Sequence, residues 1–488
     1  MRRPSVLALA LVCTACLPRV TVHEPVPDRQ LPGQWDASVP ALEPDAWLLA
    51  FAEPQLEELV QEAWAHNHDL ARAAANLRAA RALAEQAGAL RRPQLDAQLS
   101  GGRSATVTRF GEQTRRVTDV VYSASLDLRW ELDLWGRLES TRDAALADLQ
   151  AADADHTAAR LSLASAVATA WFQLTHDRIQ LQVAETYRDN RQTAATLMAD
   201  RWREGVASVA DLHLTRSEAA AAAAEVAQWR RVRDATARQL AVLLGRYPHD
   251  DAQGAAELPP PPPGLAAGQP ADLLRRRPDL RAAAARLLAS DARLLTARAE
   301  LLPRISLTAG GGVRSDELGD LVDPDHVFWN LLGNLMAPLL DGGRRRAVVR
   351  QRQAQADAAL AGFHGSLYAA LQEVETALAA EELLRIELHE QRAALAAQEQ
   401  AAAALRSAWD DGQADTLDVL TTTRSVLLRR QAALGLRLQL LRNRLTLYKA
   451  LGGPALPASE PAVDAAPEPG RPPSRPAQHD RRSGGRMH

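Results

Sequence analysis

The sequence is poor in cysteine and in lysine. Its two cysteines, Cys13 and Cys16, lie close to the N-terminus, so the rest of the 488-residue chain has none for a disulfide. Lys449 is the only lysine, and the formal net charge of -3 gives no overall basic field that would point to nucleic acid. No catalytic set of nucleophile and base is evident, and His66 and His68, two residues apart, do not share a helix face as metal ligands. The composition therefore points neither to a nucleic-acid binder nor to an enzyme.

The N-terminus, MRRPSVLALALVCTAC, carries a short apolar run. Two arginines precede the run from Val6 to Val12, which is typical of a secretory signal and too short to span a bilayer. The stretch CTAC resembles the lipobox of bacterial lipoproteins, which implies a signal peptide over 1–15, cleavage before Cys16 and a lipid on the Cys16 thiol. The alternative is an ordinary signal cleaved nearby. With either signal, the chain is expected to leave the cytoplasm.

Proline is absent between Pro93 and Pro248 and concentrated outside that interval. Residues 16–50 are rich in proline and are predicted to form an extended N-terminal arm. Residues 249–270 include LPPPPPG and predict a stiff connector, and residues 454–488 predict a disordered tail. These segments divide the chain into two parts of similar length.

Strong helix formers dominate two long segments. The segment PQLEELVQEAWAHNHDLARAAANLRAARALAEQAGALRRP predicts one helix that ends before Pro93. The sequence from Arg137 to about Trp202 predicts another helix, roughly 95 Å long at 1.5 Å per residue. A rod of that length cannot pack inside an ordinary globule.

The two parts of the chain match each other without gaps over long stretches. Landmarks near the start of each part are 210 residues apart, and later landmarks are 207 apart. The pairs are Asp69 and Asp279, Pro93 and Pro303, Gly136 and Gly343, Gly205 and Gly412, and Gly245 and Gly452. Base composition would not keep prolines and glycines in register, so the sequence predicts an internal duplication with repeats at 51–248 and 271–453.

Each repeat also contains alternating apolar and polar residues. SASLDLRWELDLWGR, at 123–137, alternates almost without a break, and hairpins are predicted at about 94–135 and about 304–340. Two structures fit this alternation: a soluble antiparallel sheet with one face on a core, and transmembrane barrel strands with one face on lipid. The secretory signal and Cys16 favour the barrel. Since four strands cannot close a barrel with a useful lumen, that interpretation requires several chains.

From about Trp47 to Gly453 the chain resembles the TolC-like outer-membrane efflux family, in particular its lipoprotein branch. The motifs that carry the resemblance are LDLWGR at 132–137, PLLDGGRRRA at 338–347, RWREGVASVADLHLTRSE at 201–218 and AWDDGQADTLDVLTTTRS at 408–425. The resemblance implies a mainly α fold with a membrane β-barrel. It is a homotrimer whose 12-stranded barrel, four strands per chain, continues into a long periplasmic helical barrel.

The function that the resemblance implies is an outer-membrane exit duct of a tripartite efflux system, anchored by the Cys16 lipid and lacking other cofactors. Its expected partners are a periplasmic adaptor, an inner-membrane pump and outer-membrane lipid. A duct for type I protein secretion and a lipid-anchored periplasmic coiled-coil scaffold that does not span the membrane are the alternatives. A coiled-coil scaffold would not require two duplicated β-hairpins.

Gly205 and Gly412 interrupt their helices and predict turns at the end of two helical hairpins. In the family these turns form the periplasmic tip that meets the adaptor, which makes Gly205, Ser208, Asp211 and Gly412 the candidate contacts. A tip has to turn whether or not it binds a partner.

The resemblance also places a gate at the tip. Asp418 matches one aspartate of the family's acidic ring, the second falls on Thr421, and Asp415 lies one helical turn before Asp418 as a substitute. The family's latch joins an acid, here Asp211, to a tyrosine position that falls on Trp409 and an arginine position that falls on an alanine. Alternatively, Asp415 is a helix N-cap and Asp418 a first-turn acid.

Overall fold

The computed structural model describes residues 23–28, 30–35, 51–110, 113–262 and 269–453. The predicted signal peptide, Cys16, much of the arm and the predicted tail lie outside the described residues.

The described residues form helices and strands in the same order in both repeats. The first repeat contains α1 (Pro54–His66), α2 (His68–Ala89), β1 (Gln94–Phe110), β2 (Gln113–Leu132), α3 (Arg137–Arg203) and α4 (Val209–Leu243). The second contains α5 (Leu273–Arg276), α6 (Pro278–Ala299), β3 (Arg304–Ser315), β4 (Val327–Met336), α7 (Arg344–Asp410) and α8 (Thr416–Ala450). The first helices differ in length, with 13 residues in α1 and 4 in α5, but the other equivalent helices have equal lengths: 22 residues in α2 and α6, 67 in α3 and α7, and 35 in α4 and α8. No helix among the described residues is long and apolar enough to cross a bilayer.

The single helix predicted before Pro93 is wrong, because the chain breaks at Asn67. Asn67 has extended backbone angles, and its side-chain oxygen accepts hydrogen bonds from the backbone N–H groups of Asp69 and Leu70, both at 3.0 Å. Asparagine is among the best N-cap residues, so this local alternative competes with a continuous helix.

A matching contact closes each repeat. The Asn67 side chain donates to the carbonyl of Leu243 at 3.0 Å, and Arg277, which also precedes a helix, donates to the carbonyl of Ala450 at 2.9 Å. Gly452 follows that last helix at φ +92°, and a Cβ there would lie 2.8 Å from the carbonyl of Arg276. In each repeat, a side chain that precedes an early helix therefore donates a hydrogen bond to a carbonyl at the end of the last helix.

The four strands form one antiparallel sheet in the order β1-β2-β3-β4. Residues that face each other across the strands point to the same side of the sheet, and the register puts apolar residues opposite apolar residues. The apolar face contains Leu95, Ala97, Leu99, Ala124, Leu126, Leu128, Trp130, Leu132, Ile305, Leu307, Ala309, Val313, Val327, Trp329, Leu331 and Leu335. None of these side chains is buried in the single chain, and some are largely exposed: Leu99 is 81% exposed and Trp329 80%.

The strand-to-helix joints follow from the LDLWGR motif and its repeat. Asp133 accepts from the backbone N–H groups of Leu138 and Glu139 at 3.1 and 2.7 Å, so it caps the start of α3. At the start of α7, Asp341 accepts hydrogen bonds from the backbone N–H groups of Gly343 and Arg345 at 3.0 and 3.1 Å, and these bonds, chiefly that of Arg345, lower the pKa of its carboxyl group. Both side chains thus satisfy backbone N–H groups that the first turn of a helix leaves without a partner.

The main hydrophobic core lies midway along the long helices and joins both repeats. Phe51 packs between Phe172 of α3 and Tyr448 of α8, with ring centroids 5.2 and 6.0 Å apart. Two buried carboxylates in this region are satisfied by hydrogen bonds. Asp177 accepts from Thr236 at 2.7 Å, and Glu381 accepts from Arg444 at 2.8 Å.

The described part of the N-terminal arm lies along α6 and α7. The backbone N–H of His23 donates to Asp291 at 2.8 Å, and the His23 ring lies 3.3 Å from Asp357. Further along the arm, Asp28 accepts a hydrogen bond from Tyr368 at 2.6 Å. The arm therefore runs away from the sheet along the second repeat.

Candidate functional site at the helical tip

The first helical hairpin turns at Gly205. Its φ of +76° is unfavourable for residues with a Cβ, so glycine permits the reversal between α3 and α4. Ser208 then caps α4: its hydroxyl accepts from the Asp211 N–H at 3.1 Å, and the Asp211 carboxylate bonds back to the Ser208 hydroxyl at 2.7 Å. This capping box uses the Asp211 carboxylate within its own loop.

The second hairpin turns at Gly412, with φ +74°. Asp415 is the N-cap of α8, because its side chain accepts from the Leu417 N–H at 3.1 Å, and Asp418 lies in the first helical turn. The capping interpretation of Asp415 is therefore confirmed. This cap uses one carboxylate oxygen of Asp415, and the other oxygen has no hydrogen bond among the described residues.

Asp415, Asp418 and Thr421 are spaced by three residues and are all exposed. Leu420, on the opposite side of α8, is buried against the first repeat. The two carboxylates therefore lie on a helix face that points away from the contact between the hairpins.

Trp409 joins the two tips. Its indole N–H donates to the Thr416 hydroxyl at 3.1 Å, and the Arg201 guanidinium lies over its ring at 4.3 Å from the centroid. Arg406 approaches the same ring at 5.0 Å. A cation over an indole face contributes about 0.5–1 kcal/mol at an exposed site, so Arg201 ties the first hairpin to the second.

This contact differs from the predicted latch. Asp211 contacts its own loop, and among the described residues it forms no ion pair with the second repeat. Arg201, which sequence reasoning missed, supplies the contact with Trp409. No sequence signal singles out Arg201, because arginine in the last turn of a helix is common for reasons of helix dipole alone.

A cavity of about 390 Å³ lies just inside the tip, between the two hairpins. Arg191 and Met198 of α3 line one side, and Trp409, Thr416 and Thr423 of the second repeat line the other. Arg191 is only 4% exposed. Its Nε has no hydrogen bond to any described residue, and its Nη2 donates to the Leu420 carbonyl at 3.5 Å, the long limit for such a bond.

The residues beside Arg191 leave further polar atoms unsatisfied. The Arg191 guanidinium lies 4.7 Å from the centroid of the Tyr187 ring, and no described residue meets the Tyr187 hydroxyl with the geometry of a hydrogen bond. Burial raises the pKa of Tyr187, so its hydroxyl remains neutral. Glu218 is paired with Arg424 at 3.7 Å rather than with Arg191. Across the part of the chain that is described, Arg191 forms no ion pair.

The HNHD sequence has a structural role. The His66 ring bonds to the carbonyl of Glu62 in its own helix at 3.1 Å, and Asn67 is the N-cap of α2. Within the described ranges, no group of three or more histidine, cysteine or acidic side chains could hold a metal ion.

Comparison with known proteins places these features in one family. The family model described as "Outer membrane efflux protein" matches residues 59–246 and 270–453. The pyoverdine export outer membrane protein OpmQ of Pseudomonas putida is 31% identical over 465 residues, which are 93% of this chain and 97% of OpmQ. Outer membrane protein OprJ of Pseudomonas aeruginosa is 31% identical with the same coverage. The solved MtrE outer membrane channel of Neisseria gonorrhoeae has a TM-score of 0.79 at 27% identity, over 90% of this chain and 98% of MtrE.

Proposed function

Because the chain belongs to the outer membrane efflux protein family and is the outer-membrane channel of an efflux system, we propose that three copies assemble into one duct. In this duct the sheets form a single barrel in the outer membrane, and the long helices carry it into the periplasm. The energy for export comes from a pump in the inner membrane, which the duct meets through an adaptor protein.

The two-faced sheet is the observation that carries this proposal. On β2 the alternation runs over the eleven residues that pair with β3, from Tyr122 to Leu132, and places Ala124, Leu126 and Leu128 on the apolar face. At about 3.4 Å per residue and a tilt of about 40°, the strand covers roughly 25–30 Å of membrane thickness, as an outer-membrane barrel requires. In the described sheet, β1 and β4 each pair on one side only, and neighbouring copies supply the missing partners.

The decisive experiment measures oligomer mass and single-channel conductance on one detergent-extracted preparation. Trimers that give small, mostly closed pores are the expected result. A water-soluble or non-conducting species would overturn the duct and favour the lipid-anchored scaffold.

Asp415 and Asp418 form the periplasmic gate in this proposal, with Thr421 beside them. Three copies bring six exposed carboxylates to the end of the duct, where they favour cations and restrict flow. Replacing both aspartates with alanine is expected to raise conductance in a planar bilayer, and the ion selectivity should shift away from cations.

Loss of the α8 cap is a separate effect that this experiment has to control. Asp415→Ser keeps a capping side chain, so Asp415→Ser with Asp418→Asn removes the charges and preserves the helix start. Glu204→Gln removes an exposed charge from the first tip as a matched control. Unchanged conductance in the Ser/Asn variant would count against the gate.

The adaptor contacts in this proposal are Gly205, Ser208, Asp211 and Gly412. The capping box gives the first tip a rigid shape, and both loops are exposed for a partner. Ser208→Ala with Asp211→Ala is expected to weaken capture of the cognate adaptor by the purified duct while the conductance stays unchanged. Equal capture by the variant and the wild type would exclude this contact.

Cys16 carries the lipid anchor in this proposal. His23 lies seven residues after Cys16, and it contacts Asp357, the thirteenth residue after the start of α7 at Arg344. Seven extended residues span about 24 Å, and thirteen helical residues rise about 20 Å, so Cys16 can reach the level where the sheet begins. Incorporation of labelled palmitate should be lost in Cys16→Ser and kept in Cys13→Ser. Incorporation that survives Cys16→Ser would refute the anchor.

A further inference from the structure

The cavity inside the tip combines an aromatic wall with a buried arginine that forms no ion pair among the described residues. Trp409 supplies part of the wall, and Arg191 supplies the charge. The volume of about 390 Å³ lies within the roughly 300–1,000 Å³ that small-molecule sites occupy. Neither residue belongs to the exposed carboxylate face of α8.

Arg191 forms no ion pair in the described part of the chain, and its neighbours are the Leu420 carbonyl and the Tyr187 ring. A buried guanidinium is costly unless it is paired and hydrogen-bonded, and the single long bond to the Leu420 carbonyl leaves Nε free. The other arginine that lines the cavity, Arg406, is already paired with Asp410 at 3.4 Å. An anion in the cavity beside Arg191 would therefore supply the opposite charge that the described residues do not provide.

We propose that this cavity is a binding site for a small organic anion, namely a carboxylate attached to an aromatic or apolar group. The carboxylate bonds to Arg191, and the apolar part lies against Met198 and the Trp409 ring. The hydroxyl groups of Thr416 and Thr423 are available to the second carboxylate oxygen.

A bound anion would connect the two hairpins, because Arg191 belongs to the first repeat and Trp409 to the second. A ligand shifts a conformational equilibrium only by its difference in affinity for the two states. Any movement that separates the hairpins at the tip would divide this site, so the anion would favour the state in which they are packed together.

The test uses the assembled, full-length protein in detergent and 2-naphthoate as the probe, with binding measured by titration calorimetry. Saturable binding of one molecule per chain is expected. Arg191→Gln should weaken binding about tenfold or more, as expected when a charged hydrogen bond is lost. Arg188→Gln is the matched control, since Arg188 lies one turn earlier on α3 and is paired with Asp189 at 2.7 Å.

A second measurement does not depend on how well the Arg191 variant folds. The neutral analogue 2-naphthamide is expected to bind the wild-type protein about tenfold more weakly than 2-naphthoate, because it cannot supply a charge to Arg191. Inorganic phosphate should bind more weakly than 2-naphthoate, because it has no group for the Trp409 wall. Equal affinity for the acid and the amide, equal weakening by both arginine variants, or no saturable binding would each overturn the site.

Discussion

At the residue scale, the buried ion pair between α7 and α8 is the contact whose loss we expect to destabilise the protein strongly. Glu381 is 2% exposed and Arg444 is fully buried, and Asn443 also donates to the carboxylate at 3.2 Å. Glu381→Ala would leave the guanidinium buried without its partner. We expect this change to lower the free energy of unfolding by about 3–5 kcal/mol, measured by urea unfolding of the detergent-solubilised protein.

An exposed pair between the same two helices provides the control. Arg430 and Glu399 also join α8 to α7, but both side chains are more than 40% exposed. Glu399→Ala is expected to cost about 1 kcal/mol or less, because water screens such a pair. If both variants lowered the free energy of unfolding by a similar amount, burial of the Glu381 pair would not add to its contribution to stability.

Residues also mark the limit of sequence-based prediction. The cap at Asp415 and the turns at Gly205 and Gly412 were predictable, because local backbone chemistry determines them. The stack of Arg201 on Trp409 and the burial of Arg191 depend on how two hairpins pack, which a single sequence does not encode in any local pattern. The break at Asn67 was also predictable, since an asparagine with an aspartate two residues later is a helix-start signal.

At the element scale, the two faces of β2 should tolerate different side chains, because one face meets lipid and the other meets water. Leu126 lies near the middle of the apolar face and is 53% exposed in the single chain, while Ser125 lies on the polar face. Leu126→Arg would put a charge at mid-membrane, and we expect it to lower the free energy of unfolding of the barrel by about 2–4 kcal/mol. The readout is the fraction of protein recovered as folded oligomer in outer membranes.

Ser125→Arg adds the same side chain one residue away, on the face that a duct fills with water. This variant is expected to assemble normally and to change only the conductance. If both substitutions prevented assembly to the same extent, the sheet would not have a lipid face and an aqueous face.

At the scale of the whole molecule, closure of the barrel can be tested because the chain has no cysteine beyond Cys16. Cysteine at Gln98 of β1, combined in turn with cysteines along β4, is expected to crosslink neighbouring copies in one register. The products should end at three chain masses, since a closed ring leaves no free edge. A ladder that continues past three would contradict the trimer.

Facing positions within one chain supply the control for that experiment. Arg129 and Thr308 are partners in the β2–β3 register, so cysteines there should link within a single chain and give no ladder. Intermolecular products from this pair would indicate unspecific collision rather than strand pairing.

Much of the whole molecule could be predicted from the sequence. The family, the outer-membrane location and the mostly helical fold with four strands are confirmed, because they rest on patterns repeated over long stretches. A 207-residue spacing between glycines and an alternation over eleven residues are not produced by chance composition. Contacts between the repeats leave no repeated pattern in the sequence, so the contacts at the tip could not be predicted from it.

The equal lengths of α3 and α7 limit how this protein can evolve. One residue inserted into a helix moves everything beyond it by 1.5 Å and turns it by about 100°. An insertion in α3 alone would carry Arg201 away from Trp409, so a change there survives only with a matching change in α7 and in the returning helices. Increments of seven or eleven residues nearly preserve the packed face. Homologues that cross a wider or narrower periplasm should therefore differ by such increments, gained or lost in all four helices together.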